Sequence, residues 1–216
     1  MSRPQSKGRT PPDLAPIPDL KPIAADHGIF SGPIEESYVS ATNLWANKVS
    51  SFAARGSIFE TVSFTQCTLP SARFRDVRFV KCDLSNAILR GLEATRVEFV
   101  DCRLTGMAAI ECRWRDVLIE NCDARYAQLA DGQFKSCEFK GSNFTEADLR
   151  GCDLQGTVFT QVCLNRADLS HAKLMDADLR GAEIEGIIVG PEDVRGAIVS
   201  AAQAMDLARL LGLIVK

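Results

Sequence analysis

Counting from Ile34, every fifth residue as far as Val189 is apolar. The series runs Val39, Leu44, Val49, Ala54, Phe59, Phe64, Leu69, Phe74 and continues without a gap through Leu149, Leu154, Phe159, Leu164, Leu169, Leu174, Leu179 and Ile184. An α-helix at 3.6 residues per turn cannot keep such a stripe on one side, and neither can a flat strand of period 2. A chain that turns a corner every five residues can. Two residues before each of these positions small side chains dominate, among them Cys67, Ala72, Cys82, Ala87, Cys102, Cys122, Ala147 and Ala167. The residue between small and large is often Asp or Asn, as at Asp83, Asp123, Asn143, Asp148, Asp153, Asp168 and Asp178. Small, polar, large, polar, polar reads as in, out, in, out, out. One such unit cannot bury its own apolar face, so copies must stack.

The stretches 82–91 (CDLSNAILRG), 142–157 (SNFTEADLRGCDLQGT) and 167–186 (ADLSHAKLMDADLRGAEIEG) show the pattern best. With them the chain resembles the pentapeptide-repeat family, whose units read approximately A-[DN]-[LF]-x-x. The resemblance implies an all-β fold, a right-handed quadrilateral parallel β-helix, over residues 37–189. The fit is poorest over 37–58, where Asn47 and Phe52 stand in places that want a small residue.

Four units per coil predict that residues 20 apart stack, and the sequence tests this. At that interval Phe59, Phe79, Phe99, Ile119, Phe139, Phe159 and Leu179 collect five of the nine phenylalanines in the five-residue series, whereas the interval through Leu69, Leu89 and Ala109 collects none. Phe59, Phe79, Phe99, Phe139 and Phe159 are therefore expected to form a core ladder. Trp114 joins them on the neighbouring wall, one coil above Ala94, large over small as close packing of a narrow core requires.

The chain has 216 residues, 46% of them hydrophobic, and a formal net charge of −3, which suits one extended soluble domain. It contains no run of 18 apolar residues and no signal-peptide pattern, so neither membrane insertion nor secretion is expected and a cytoplasmic setting is. Seven of the eight cysteines occupy the small inward slot and read as compact apolar filler kept reduced. Cys82, Cys102 and Cys122 fall on one wall at successive coils, where a metal or redox ladder competes with the favoured filler reading. Cys163 lies in a polar slot and is expected to be the most accessible thiol.

No catalytic constellation, cofactor motif or metal-ligand set stands out. His27 and His171 have no nucleophile defined by a motif. Asp148 and Asp168 stack on one wall, where a carboxylate pair or calcium site is the sharp reading and outward turn-capping residues the favoured one. A non-enzymatic protein with no cofactor is expected.

The ends follow different rules. Residues 1–36 form a Pro-rich arm, basic at Arg3, Lys7 and Arg9, expected to be largely disordered. The five-residue units are expected to stop at Gly190-Pro191, leaving 190–216 as a helix with an apolar tail. Ser200 and Gln203 make a capping box, Val199 and Ala204 a hydrophobic staple, and the helix places Ala204, Leu207, Ala208 and Leu211 on one side before Gly212. Leu207, Leu210, Leu211, Leu213 and Ile214 are expected to cap the last coil or meet a second copy in a homodimer; the resemblance supports the dimer.

Two functions compete. One is a macromolecular interaction scaffold, a rod presenting its outward residues to an unidentified protein partner. The other follows from the resemblance to fluoroquinolone-resistance members, and is a DNA mimic that occupies DNA gyrase or another type II topoisomerase. DNA carries about one negative charge per 1.7 Å, so a rod of seven to eight coils at about 4.8 Å each needs on the order of 20 uncompensated acids to match it. Residues 57–189 hold 20 Asp and Glu against 16 Lys and Arg. One wall is basic through Arg73, Arg75, Arg96, Arg113, Arg115 and Lys135, though interspersed acids argue against direct nucleic-acid binding. The acids gather toward the C-terminus at Asp168, Asp176, Asp178, Glu183 and Glu185. Arg73, Arg75, Arg113, Arg115, Asp168 and Asp178 are the candidate partner surface. No insertion interrupts the beat, unlike the loops that the resemblance leads one to expect in inhibitor-protecting members.

Overall fold

The computed structural model describes residues 8–23, 32–49, 51–210 and 212–214. Nearly all five-residue units turn their corner at one position, two residues after the large apolar side chain, where the backbone enters the left-handed region. Gly fills this place at Gly56, Gly91, Gly106, Gly141, Gly151, Gly156, Gly186 and Gly196, and among the described residues 22 non-glycine residues adopt the same conformation. In many corners the carbonyl of the large residue accepts the amide three residues on, as Leu84 does from Ala87 at 3.0 Å. That bond, with positive φ at the third residue, makes a type II turn. Gly106 shows why some corners need glycine: a Cβ there would stand 2.4 Å from the Asn86 side-chain oxygen one coil below.

The remaining backbone bonds run between coils. In chain order the elements are β1 (Lys21–Ile23), β2 (Ile34–Glu35), β3 (Ser37–Ser40), β4 (Ala53–Glu60), β5 (Arg73–Val80), β6 (Glu93–Val100), β7 (Arg113–Glu120), β8 (Gln133–Lys135), β9 (Glu138–Lys140), β10 (Val158–Cys163), β11 (Asp178–Glu183) and α1 (Ala201–Leu210). All strand pairings are parallel, and from β4 to β7 each residue lies over the one 20 positions earlier, Phe59 under Phe79 under Phe99 under Ile119. The same step links the bridges outside the strands, such as Ser63 to Asp83 to Arg103 to Asp123. The result is a parallel β-solenoid of about eight turns.

Its interior is one continuous cluster containing the five-residue series almost entire. Phe59, Phe79 and Phe99 stack face to face at centroid distances of 5.0 and 4.9 Å. Ile119 interrupts this column, and the aromatic path detours through the adjacent wall, from Phe99 to Trp114 at 6.1 Å, to Phe134 at 5.2 Å, to Phe139 at 5.9 Å, and on to Phe159 at 5.1 Å. Volume is traded within single units. Ala54 accompanies Phe52, Ala94 accompanies Leu92, and Ala109 accompanies Met107, whereas Phe134 accompanies Gly132, whose absent Cβ leaves room for the Phe134 ring. Phe52, ill-placed by the repeat pattern, is thus 2% exposed and meets Phe74 edge-on at 5.8 Å.

Both ends depart from expectation. The coils begin at Ile34, which pairs with Ala54, and continue past Val189, since Ile198 bridges Asp178 and Val194 and Val199 pack on the core. The beat survives two further steps because the turns over 190–196 keep the 20-residue register, Gly196 O accepting from Asp176 N at 3.0 Å and Ile198 O from Leu179 N at 2.8 Å. At the other end, the expectation of a largely disordered arm fails for residues 8–23. β1 pairs with β3 and covers the first open sheet edge, with Leu20 buried behind it. Residues 8–16 lie along the rod. Arg3, Lys7 and His27 fall outside the described residues.

The C-terminal helix is the second plug. Its capping box forms, with Ser200 N donating to Gln203 Oε1 at 2.9 Å and Gln203 N to Ser200 Oγ at 3.3 Å. Its inward face is Gln203 and Leu207, while Ala204 is exposed and Ala208 half-buried, so the expected face is rotated. The cause is polar: Gln203 Nε2 reaches two orphan carbonyls of the last coil, Leu179 O and Ala182 O. At its end, Gly212 at φ 82° and the Leu213 amide bonded to Ala208 O close a Schellman turn.

Candidate functional site

The broadest regular surface is the wall built by β4 to β7, whose eight-residue strands fold round a corner at Gly56, Asp76, Arg96 and Asp116. Its outward side chains form columns fixed by the 20-residue register. In one, Arg73, Glu93 and Arg113 alternate in sign, with Glu93 taking Arg73 at 3.2 Å and Arg113 at 3.4 Å. The next column runs Glu35, Arg55, Arg75, Thr95, Arg115, Lys135, and above Glu35 it contains no acid. Arg75, Arg115 and Lys135 are exposed; Arg75 touches Asp76 at 3.7 Å, and neither Arg115 nor Lys135 has an ion pair among the described residues. Arg73, Arg75, Arg113 and Arg115 therefore do share one flat face.

Asp168 and Asp178 lie elsewhere and hold turns. Asp168 Oδ1 accepts from Ser170 N at 3.0 Å, and Asp178 accepts from Arg180 N at 3.1 Å and from its guanidinium. Asp148 does the same for Arg150. Hydrogen bonds from these arginines hold the Asp148 and Asp178 carboxyls below the usual carboxylate range.

Round the corner from the cationic column is an ionic cluster that sequence reasoning missed. Arg96 grips Asp76 through two hydrogen bonds of 2.5 Å, and Glu98 takes Arg78 at 2.7 Å and Arg9 at 2.8 Å. Arg9 belongs to the arm, whose backbone also donates from Thr10 to Asp116 at 3.1 Å and from Asp13 to Asp76 at 3.0 Å. Burial works to raise the Asp76 pKa, but the Arg96 and Asp13 donors and the Arg96 and Arg75 charges outweigh it and hold the carboxyl below its usual range. Nothing in a five-residue pattern signals that a segment outside it will dock on the outer wall.

The cysteines complete the inventory. The seven small-slot residues are buried, and Cys163 is partly exposed. They are more than filler, for each of six reaches the carbonyl 23 residues earlier, as in Cys82 to Phe59 O at 3.3 Å and Cys152 to Leu129 O at 3.1 Å. Ser142 does likewise to Ile119 O. Burial pushes the Cys137 and Cys152 thiols up to about 12. Among the described residues no group of three or more His, Cys, Asp or Glu is placed to hold a metal ion, and no helix is long and apolar enough to cross a membrane.

Of the C-terminal candidates, Leu207 is buried, and Leu210, Leu213 and Ile214 are exposed at 45%, 62% and 86%. Leu211 lies outside the described residues.

A family model described as the pentapeptide repeat region matches residues 72–143, and one described as pentapeptide repeats, in 8 copies, matches 152–188. Among solved structures, full-length QnrB1, a plasmid-mediated fluoroquinolone resistance protein, is 22% identical over 89% of this chain and 95% of its own, with a TM-score of 0.38. HetL, a pentapeptide repeat protein involved in heterocyst differentiation regulation from the cyanobacterium Nostoc, is 21% identical over 77% of this chain and 89% of its own, with a TM-score of 0.26. Rfr23, from the cyanobacterium Cyanothece, is 13% identical over 73% and 91%, with a TM-score of 0.23. No curated protein matches. With the five-residue turn, the 20-residue register and both repeat matches in agreement, the chain belongs to the pentapeptide-repeat family.

Proposed function

We propose that this protein is a non-enzymatic, cytoplasmic scaffold that binds a partner protein through the wall of β4 to β7. The observation that carries this reading is the run Arg75, Thr95, Arg115, Lys135, exposed cations on a flat surface with no acid between them. Many of the other charges along the rod are paired within a unit or with the next coil, as Arg125 is with Asp123 and Lys140 with Glu120. A cationic run uninterrupted by acids steers and orients an acidic partner surface. The eight free cysteines support a reducing compartment. A second copy meeting the exposed Leu210, Leu213 and Ile214 would double the binding surface in a two-fold dimer.

The test is capture from nuclease-treated native extract with wild type and with Arg75→Glu/Arg115→Glu. Loss of one defined acidic protein from the variant supports the reading, and identical captures from both defeat it. The gyrase-directed alternative has one observation in its favour, the exposed acids Asp176, Glu183 and Glu185 in the last coils. It is tested by titrating the protein into a gyrase supercoiling assay with and without a quinolone. No change in either arm removes it.

A further inference from the structure

Outward positions of a strand meet solvent unless something covers them. Ile58, Glu98 and Leu118 are outward, yet they are only 7%, 5% and 8% exposed. They share one column, Ile58, Arg78, Glu98, Leu118, in register on β4 to β7. The segment Arg9–Asp13 is held over the same strands by its bonds to Glu98, Asp116 and Asp76. We propose that this column, edged by Asp76, Arg96 and Asp116, is a peptide-docking groove, that residues 8–16 occupy it as a displaceable strap, and that its partner is an extended, arginine-bearing, proline-containing segment of another protein.

The seated segment defines the chemistry. Thr10 and Asp13 give their amides to carboxylates two coils apart, a climb of about 9.6 Å. Three residues of polyproline II advance about 9.3 Å. Pro11 and Pro12 lie between the two amides and favour that extended form, so the step of the peptide matches the step of the rod. Between these anchors Glu98 takes an arginine, and Ile58 and Leu118 supply apolar floor. Arg9, Pro12 and Leu14 are the segment's half-buried residues.

The fit of the resident segment is incomplete, and this makes it displaceable. Arg9 Nη2 reaches Glu98, but Arg9 Nε and Nη1 are buried without a hydrogen-bond partner among the described residues. A guanidinium has five donors, and leaving buried ones unmade is costly. A segment that sets its guanidinium squarely on Glu98 removes that cost and outcompetes the strap. Release need not uncover the first coil, because β1 holds its own pairing with β3. While seated, the strap lowers the apparent affinity for a competitor in proportion to the fraction of time the groove is open. The groove is distinct from the cationic column and stands without it.

The experiment uses full-length protein and a fluorescent peptide of sequence GRTPPDLAP, the seated segment, read by anisotropy. The variant Arg9→Glu/Asp13→Pro sets a carboxylate against Glu98 and deletes the amide that meets Asp76, and hydrogen exchange over 8–16 reports whether the strap is released. The released variant is expected to bind the peptide at least tenfold more tightly than wild type. Adding Glu98→Gln is expected to weaken that binding at least fivefold with the circular dichroism spectrum unchanged. Adding Arg115→Glu/Lys135→Glu instead, at two cations of the column that pair with no acid among the described residues, is expected to leave it unchanged, so this groove and the cationic column succeed or fail separately. The proposal is overturned by wild-type exchange over 8–16 at free-peptide rates, by strap protection that survives Arg9→Glu/Asp13→Pro, by peptide binding that is absent from the released variant or equal to wild type, or by indifference to Glu98→Gln.

Discussion

Gln203 Nε2 donates to the carbonyl of Leu179 at 2.7 Å across 24 residues of chain. Lower in the rod, carbonyls at the equivalent place are met from the coil above: Phe59 by Cys82, Phe79 by Cys102, Phe99 by Cys122, and Ile119 by Ser142. Gln203 supplies from a helix what the next coil would have supplied. Gln203→Leu removes two bonds to part-buried carbonyls and half the capping box, and is expected to cost about 2–4 kcal/mol. Gln203→Glu is expected to be worse at pH 7, where a carboxylate faces two carbonyl oxygens, and to recover partly on acidification as it gains a proton. Thermal melts at two pH values check both, and unchanged melting in either variant would remove the plug.

Two hydroxyls in the same inward slot predict opposite outcomes. Ser142 Oγ accepts from Cys122 N at 2.9 Å and donates toward Lys140 O at 2.9 Å, so Ser142→Ala is expected to destabilise by about 1–3 kcal/mol. Thr157 Oγ1 is buried with no hydrogen-bond partner among the described residues, and valine fills this slot at Val77, Val97, Val117 and Val162. Thr157→Val keeps the shape, deletes the unpaired hydroxyl, and is expected to stabilise by about 1 kcal/mol. Denaturant midpoints moving in the same direction would contradict the hydrogen-bond assignment.

Core and register were legible because they repeat. Apolar residues on the five-residue beat share one fate except near the rod's ends, where Val49 and Val189 are only partly buried, and burial of Val39, Phe99 and Leu169 needs no knowledge of distant contacts. The beat also ran on through Val194 and Val199, and Gly190-Pro191 hid it because turn residues ordinarily punctuate. The corner conformation was visible in glycines two places after the beat, but 22 other described residues in the same conformation diluted the signal. Gln203 was read only as a cap because its second role depends on where the last coil ends. The Arg9 contact with Glu98 spans 89 residues and follows no period.

Thiol reactivity follows the same geometry. A thiolate is the reacting species, and burial holds Cys137 and Cys152 near 12, so they carry almost no thiolate at neutral pH. Cys163 is half-buried, its sulfur 3.2 Å from Thr145 Oγ1. Brief alkylation of native protein followed by mass spectrometry is expected to modify Cys163 first, with the other seven modified only after unfolding. Early modification of Cys82 or Cys102 would mean that the wall opens.

The strap is expected to be acid-sensitive through Asp76. Its folded pKa lies below the unfolded value of ~3.9, so its contribution is in place above that value and is lost as pH falls through the lower folded pKa. Protonation withdraws the acceptor from both Arg96 and the Asp13 amide. Hydrogen exchange over 8–16, corrected for intrinsic rates, is expected to accelerate below about pH 4 in wild type. In Asp76→Asn the same segment is expected to exchange faster at neutral pH and to lose most of that dependence. An unaltered pH profile in the variant would assign the transition to other carboxylates.

The end of the chain separates plug from seam. Leu207 is 7% exposed and part of the core cluster, whereas Leu210 and Ile214 are 45% and 86% exposed. Leu207→Asp places a charge against the last coil and is expected to lower stability by about 3 kcal/mol or more, whatever the oligomeric state. Leu210→Asp/Ile214→Asp changes two exposed side chains that are not part of the core cluster, so its melting as a monomer is expected to stay close to wild type. If the proposed dimer uses this patch, each leucine or isoleucine buried in the seam is worth about 1.5–3 kcal/mol, and the double variant converts a dimer to a folded monomer. Sedimentation equilibrium of the three proteins decides it. A wild type that is monomeric at high concentration eliminates the dimer, and a double variant that stays dimeric moves the seam away from the helix.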